Sequence, residues 1–210
     1  MARKSVSTEI SSDASAGAVA SRLATAILKY LGQTPASEGR KSPKPEDAAK
    51  RCARIAAAKA ALAAGTLALP PGPLGWLTIL PEMISVWKIQ AQMVSDIAAI
   101  YGKRAVLSPQ QVIWCLFKHS ASQAVRDLVV RVGERAIVKQ ATLRVLQAVA
   151  QRIGVRLSQG ALSKAASRWL PIIGPLGVGA YAYYDTGQVA ASAIELFSRE
   201  IEVQPEGTQA

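Results

Sequence analysis

Gly72-Pro73-Leu74-Gly75 and Gly174-Pro175-Leu176-Gly177 are one tetrapeptide written twice, about 100 residues apart. Each stands inside a long uncharged run, Ala60 to Pro81 and Trp169 to Tyr184, and each run ends on an acid, Glu82 and Asp185. Proline in a helix interior removes a hydrogen bond and clashes with the preceding turn, while glycine permits a sharp reversal. The two runs therefore read as two apolar helical hairpins with corners at Gly72, Pro73, Gly75, Gly174, Pro175 and Gly177. A single membrane-spanning helix needs about 20 unbroken apolar residues. Pro70, Pro71 and Pro73 divide the first run and Pro171 and Pro175 the second, so neither reads as a conventional span.

Outward from the corners the pattern stays helical. Half the residues are hydrophobic but only 5 % are aromatic, which implies a core of Ala, Leu, Val and Ile between closely spaced helices. Residues 1–14 read as a disordered tail. Residues 15–31 form an amphipathic helix with Val19, Leu23, Ile27, Tyr30 and Leu31 on one stripe, ended by Gly32. Residues 32–47, rich in Pro and mixed charge, read as a flexible linker. A helix then opens at Pro45-Glu46-Asp47 and presents Ala56, Ala60 and Ala64 as a small-residue face. Gly102 ends the next helix, and Ser108-Pro109-Gln110-Gln111 is a helix start. Helix is expected onward to Val132, over 134–153 and 158–170, and from Gly177 to Ile201, with 202–210 a polar tail. No strand alternation stands out. The expectation is an all-α chain, a compact bundle of about six helices built on the two cornered hairpins.

The charge is uneven. The net value is +11, and residues 103–168 hold twelve Lys and Arg against Asp127 and Glu134 alone. Arg126, Arg131, Arg135, Lys139, Arg144, Arg152 and Arg156 form the candidate surface for a polyanion, with Arg131, Arg135 and Lys139 at the four-residue spacing of one helix face. Apolar hairpins flank this stretch, which favours an anionic membrane surface. Nucleic acid ranks below it, because no recognition motif or stacking platform accompanies the charge. No apolar secretory segment appears near Met1, so the chain is expected in the cytoplasm, at the inner face of the membrane.

A small-residue helix, a Gly-rich apolar turn, a helix with Gln90 and Gln92 ending in Ile97-Ala98-Ala99-Ile100-Tyr101-Gly102, and then Leu170-Pro171-Ile172-Ile173-Gly174-Pro175-Leu176-Gly177 together resemble the bacterial EcsC protein family. The resemblance covers roughly residues 48–201. It implies a bacterial, helical, cytoplasmic or membrane-associated protein of no established activity, and it transfers no catalytic residue.

Candidate chemistry is sparse. His119 is the only histidine, with Ser122 and Asp127 downstream on the same expected helix, a poor geometry for a triad. One His and two separated Cys, Cys52 and Cys115, are too few for a zinc site, and the cysteines read as reduced thiols. The Gly-Pro corners lack the Lys-Ser/Thr of a phosphate loop. No cofactor or metal is expected. Glu82, Asp96 and Asp185 are acids in otherwise apolar helices, candidates for a buried polar pocket, with partners expected from Lys88, Arg168 or helix-start amides. The leading expectation is a non-enzymatic helical protein associating with the membrane through residues 103–168 and the hairpins. Two alternatives stay open. One is a protein-binding module, a toxin inhibitor or transporter regulator, acting through residues 15–31 or the basic face. The other is a lipid-directed hydrolase using Glu82, Asp185 or His119.

Overall fold

The computed structural model describes residues 3–67, 75–132, 134–139, 141–166 and 175–204, with side chains described for 17–65, 83–130, 134–139, 141–157 and 177–203. Seven helices are present among these residues: α1 (Arg3–Leu31), α2 (Pro45–Leu67), α3 (Gly75–Ile100), α4 (Pro109–Phe117), α5 (Ser122–Val125), α6 (Leu143–Ala166) and α7 (Pro175–Ser198). Three short strands, β1 (Val129–Val132), β2 (Arg135–Lys139) and β3 (Glu200–Gln204), form one small sheet in that order. The all-α class holds, with this sheet as an addition.

The most apolar of the long helices, α3 and α7, occupy the centre. From α3, Trp87, Gln90, Val94 and Ile97 are buried, as are Val189, Ala193, Leu196 and Phe197 of α7. Fully burying one large apolar side chain is worth about 1.5–3 kcal/mol. α2 lies along both α3 and α7, and its small-residue face behaves as its spacing requires: Ala56, Ala60 and Ala64 are buried, the latter two against Val86 and Ala182. α1 packs along α6. A Cβ on Gly154 of α6 would stand 2.4 Å from the carbonyl oxygen of Ala20, so these backbones nearly touch. On the other side, a Cβ on Gly179 would lie 3.0 Å from the Ala61 carbonyl oxygen.

Several boundaries differ from expectation. The first helix begins at Arg3, within the stretch read as a disordered tail; no proline interrupts residues 3–31. Its apolar stripe is not free for a partner, since Leu23, Ile27 and Leu31 are sealed in the core. Residues 32–44 are irregular but tied down, unlike a flexible linker. Ser95 Oγ donates to the Pro35 carbonyl at 2.7 Å, Gln92 Nε2 to the Ala36 carbonyl at 2.9 Å, and the Ser42 amide to the Ile100 carbonyl at 3.0 Å. Gly102 ends α3 at φ 74°, a conformation that favours glycine, and the Lys103 amide closes onto the Ala98 carbonyl at 2.7 Å.

The largest correction concerns residues 118–142. Helix α4 starts behind Ser108-Pro109 as expected, with the Ser108 amide donating to Gln111 Oε1 at 2.9 Å, but it stops at Phe117. Val129–Val132 and Arg135–Lys139 then form an antiparallel pair, Val129 opposite Val138 and Arg131 opposite Ala136. Their β-branched content suits a pleated, half-buried surface better than a helix. Within the stretches read as helix over 134–153 and 158–170, residues 135–139 are strand β2 and 143–166 the single helix α6, while 167–170 lie outside the described residues. The last helix ends at Ser198, before the expected Ile201. Residues 200–204 run parallel to β2, so part of the expected polar tail is a strand.

Gly154→Ala is expected to destabilise the fold by about 1–3 kcal/mol, because the added carbon meets backbone that cannot turn aside. Gly187 of α7 has open space around it, so Gly187→Ala is expected to stabilise by roughly 0.5–1 kcal/mol. Thermal unfolding of the two variants checks the contrast. An unperturbed Gly154→Ala protein would show that α1 and α6 do not approach this closely.

Candidate functional site

The polar centre of the molecule lies where α3, α7 and the turn after α4 meet. That turn follows from the end of α4: the Lys118 amide bonds the Trp114 carbonyl at 2.9 Å, the Ala121 amide bonds the Phe117 carbonyl at 2.7 Å, and residues 118–120 are carried over α7. His119 Nε2 meets Asp185 Oδ1 at 2.7 Å, with the carboxylate accepting. Gln90 Nε2 donates to Asp185 Oδ2 at 2.7 Å and to Thr186 Oγ1 at 3.2 Å. Gln90 and Thr186 are fully buried, whereas the His119 and Asp185 side chains are 22 % and 20 % exposed. Asp185 therefore has both oxygens engaged, by a histidine from 66 residues away and an amide from 95. Beside this pair, Lys118 binds Glu195 of α7 and stands 4.7 Å over the Trp114 ring.

Next to the node is an apolar cavity of about 150 Å³, with Trp87, Phe117, Leu157 and Tyr181 in its wall and Ser120 and Asp185 as its polar groups. Trp87 and Phe117 meet edge to face at 5.4 Å.

Of the three acids expected to share one pocket, Asp96 and Asp185 lie apart. Gln90 and Gln92 are two residues apart, about 200° around a helix, so they serve opposite sides of α3. Gln90 reaches Asp185, while Gln92 Nε2 donates to Asp96 Oδ1 at 3.0 Å. Asp96 lines a different groove, between α2 and α3. Glu82 falls within α3, but its side chain lies outside the described residues, as does that of Arg168. Lys88, expected to balance an acid, instead stands 4.4 Å over the Tyr30 ring. His119 also misses its expected neighbours. The chain leaves helix after Phe117, Ser122 is exposed on α5, and Asp127 pairs with Arg126 at 3.4 Å on the surface.

The basic residues are spread over several elements. Arg126 is in the short helical turn before β1, and Arg135 and Lys139 are exposed on β2, where Arg135 faces Glu200 at 3.6 Å. Arg131 is in β1, opposite Ala136 in the register and so one step out of phase with Arg135 and Lys139. The three do not form one helix face: spacing by four also occurs along a strand, and here the strand forms. Arg144, Arg152 and Arg156 are exposed on α6, among exposed Leu143, Val145 and Val155.

Of the corner residues, Gly75 opens α3, and Pro175 opens α7 with Gly177 two residues on; Gly72, Pro73 and Gly174 lie outside the described residues. The flanking helix ends converge. Ala60 and Ala64 of α2, Val86 of α3 and Ala182 of α7 share one cluster, and Gln90 meets Thr186 further along, so α3 and α7 run side by side and α2 runs against them. α2 therefore ends, and α3 and α7 begin, at the same end of the bundle. Leu62, Tyr181, Tyr183 and Tyr184 are exposed near that end, 70 %, 57 %, 47 % and 64 % respectively. Among the described residues no helix is long and apolar enough to cross a membrane. No family model, no curated protein and no solved structure matches the chain.

Gln90, Thr186 and Ser120 were missed as site residues. The signal available was a lone polar side chain, Gln90 or Thr186, inside an otherwise apolar helix. Asp185→Ala leaves the buried Gln90 amide with Thr186 alone and one N–H without an acceptor, a loss expected at about 1–3 kcal/mol. His119→Ala removes a partner at the surface end of the node and is expected to cost less. Urea unfolding of the two variants gives the order. Equal losses would mean that Gln90 does not depend on Asp185.

Proposed function

We propose that this is a non-enzymatic helical protein that associates peripherally with an anionic membrane, at the inner face of the cytoplasmic membrane, leading with the end of the bundle that carries both apolar corners. The observation that carries this reading is the convergence of α2, α3 and α7 at one end, with exposed Leu62, Tyr181, Tyr183 and Tyr184 around it. Tyrosine favours the boundary between headgroups and acyl chains because its ring is apolar and its hydroxyl is polar. Arg152 and Arg156, one turn apart on α6 and exposed, supply attraction to anionic headgroups. Leu157, which follows them, lines the cavity together with Val178 and Tyr181, so this part of α6 lies beside the first turns of α7. The resemblance to the EcsC family, carried by its quoted motifs alone, agrees with this reading.

Flotation with vesicles rich in phosphatidylglycerol tests it at low salt and without detergent. The protein is expected to float with these vesicles and not with phosphatidylcholine alone. Replacing Arg152 and Arg156 by Gln is expected to weaken binding roughly 10- to 30-fold, since each cation near an anionic surface contributes about 1 kcal/mol. Absence of binding to anionic vesicles at low salt contradicts the proposal.

A further inference from the structure

At the other end of α2 and α3, away from the apolar corners, the two helices enclose a groove of about 620 Å³. This falls within the ordinary range of small-ligand pockets, about 300–1,000 Å³. Its floor is apolar, with Ala56, Ile89 and Met93, and Ile55 is left 59 % exposed at the edge. Its charges are polarised. α2 and α3 are antiparallel neighbours, with Ala60 packed near Val86. Lys59 therefore stands across from Lys88 at one end, and Arg51 across from Asp96 at the other. The acid is already engaged by Gln92, whereas Lys59 and Lys88 have no carboxylate partner among the described residues.

We infer that this groove binds a single acyl chain carrying an anionic head, with the head between Lys59 and Lys88 and the chain running over Ile55 and Met93 toward Cys52. The walls are helical, so their main-chain groups are engaged in the helices and offer nothing to a peptide strand. Recognition falls to side chains, which supply an apolar trough closed at one end by two ammonium groups. A nucleotide would need a stacking surface, and the nearby Tyr30 ring is covered by Lys88. Of the amphiphiles, a neutral one leaves the lysine pair unanswered and a small anion leaves the trough unfilled.

Cys52 makes the inference measurable. It lines the groove and is partly exposed, while Cys115 is fully buried, so a thiol reagent reads Cys52 first. Burial, with Asp96 adding and Lys59 opposing, pushes the Cys52 thiol from 9.0 up to about 11. Its modification is thus expected to be slow at neutral pH and to accelerate as pH rises toward about 11. Cys52 is seven residues from Lys59, about 10 Å along the helix, so only an occupant with a chain covers it.

The test is the rate of N-ethylmaleimide modification of the full-length protein at mildly alkaline pH, with Cys52→Ser as the control for Cys115. Dodecyl phosphate, below its micelle concentration, is expected to slow the reaction at least about fivefold at saturation, while inorganic phosphate and dodecyl maltoside leave it nearly unchanged. In the Lys59→Gln/Lys88→Gln variant the concentration needed for protection is expected to rise about tenfold, as loss of two exposed ion pairs would give. Thermal unfolding of that variant separates lost binding from lost fold: a parent-like Tm with unchanged protection overturns the inference. Equal protection by dodecyl maltoside, protection by inorganic phosphate alone, or none at all overturns it as well. No arm uses vesicles, so failure here is distinct from failure of membrane association.

Discussion

Two helices can approach only as closely as the atoms on their facing sides allow, and this chain depends on very close approach. With 5 % aromatic residues, only a few large rings, Trp87, Trp114, Phe117 and Phe197 among them, are available to fill its core. The interior is sealed by letting backbones meet, Gly154 against Ala20 and Gly179 against Ala61. Dispersion contacts are individually weak and fall off steeply with distance, so an alanine-rich interface stabilises only when it is tight. That explains why both flanking helices are recruited. α1 covers α6, and α2 covers α3 and α7. The segment between α1 and α2 is held by side chains of α3, which fixes both helices with respect to the centre.

Helix α3 is the hub of this arrangement because its two glutamines point to opposite sides. One side meets α7 and the turn carrying His119, and the other meets the 32–44 segment and the groove beside α2. A polar group buried without a partner costs roughly 1–3 kcal/mol, and a satisfied one constrains geometry. Gln90 bonds both Asp185 and Thr186, so it sets the register of α3 against α7. The register in turn brings both sets of corner-flanking helix ends to one end of the bundle. The groove with Lys59 and Lys88 and the end with the exposed tyrosines are thus separate products of one central helix.

Much of the helical framework was legible in the sequence, since apolar periodicity and caps report local physics. The small-residue face of Ala56, Ala60 and Ala64, the stop at Gly102 and the start at Ser108-Pro109 all stand as read. The sheet was not legible. Arg131, Arg135 and Lys139 fit a helix by spacing, and only pairing between distant segments, Arg135 with Glu200 and Val138 with Val203, decides for a strand. The polar node was half legible. Asp185 stood out as an acid in an apolar helix, but its partners His119 and Gln90 are distant in the chain, and no local pattern joins them. The groove was illegible for the same reason, because it requires the register between α2 and α3.

The central claim is that the end of the bundle bearing the apolar corners meets the membrane. Trp76 and Trp169 lie one in each uncharged run, whereas Trp87 and Trp114 are buried in the bundle. Quenching of tryptophan emission by lipids brominated near the headgroup, in variants keeping only Trp76 or only Trp169, reports directly on that end. Strong quenching of both on anionic vesicles, with Trp87 and Trp114 left unquenched in matching variants, is the outcome expected. Binding to vesicles with Trp76 and Trp169 unquenched would place the contact elsewhere on the molecule and contradict the account.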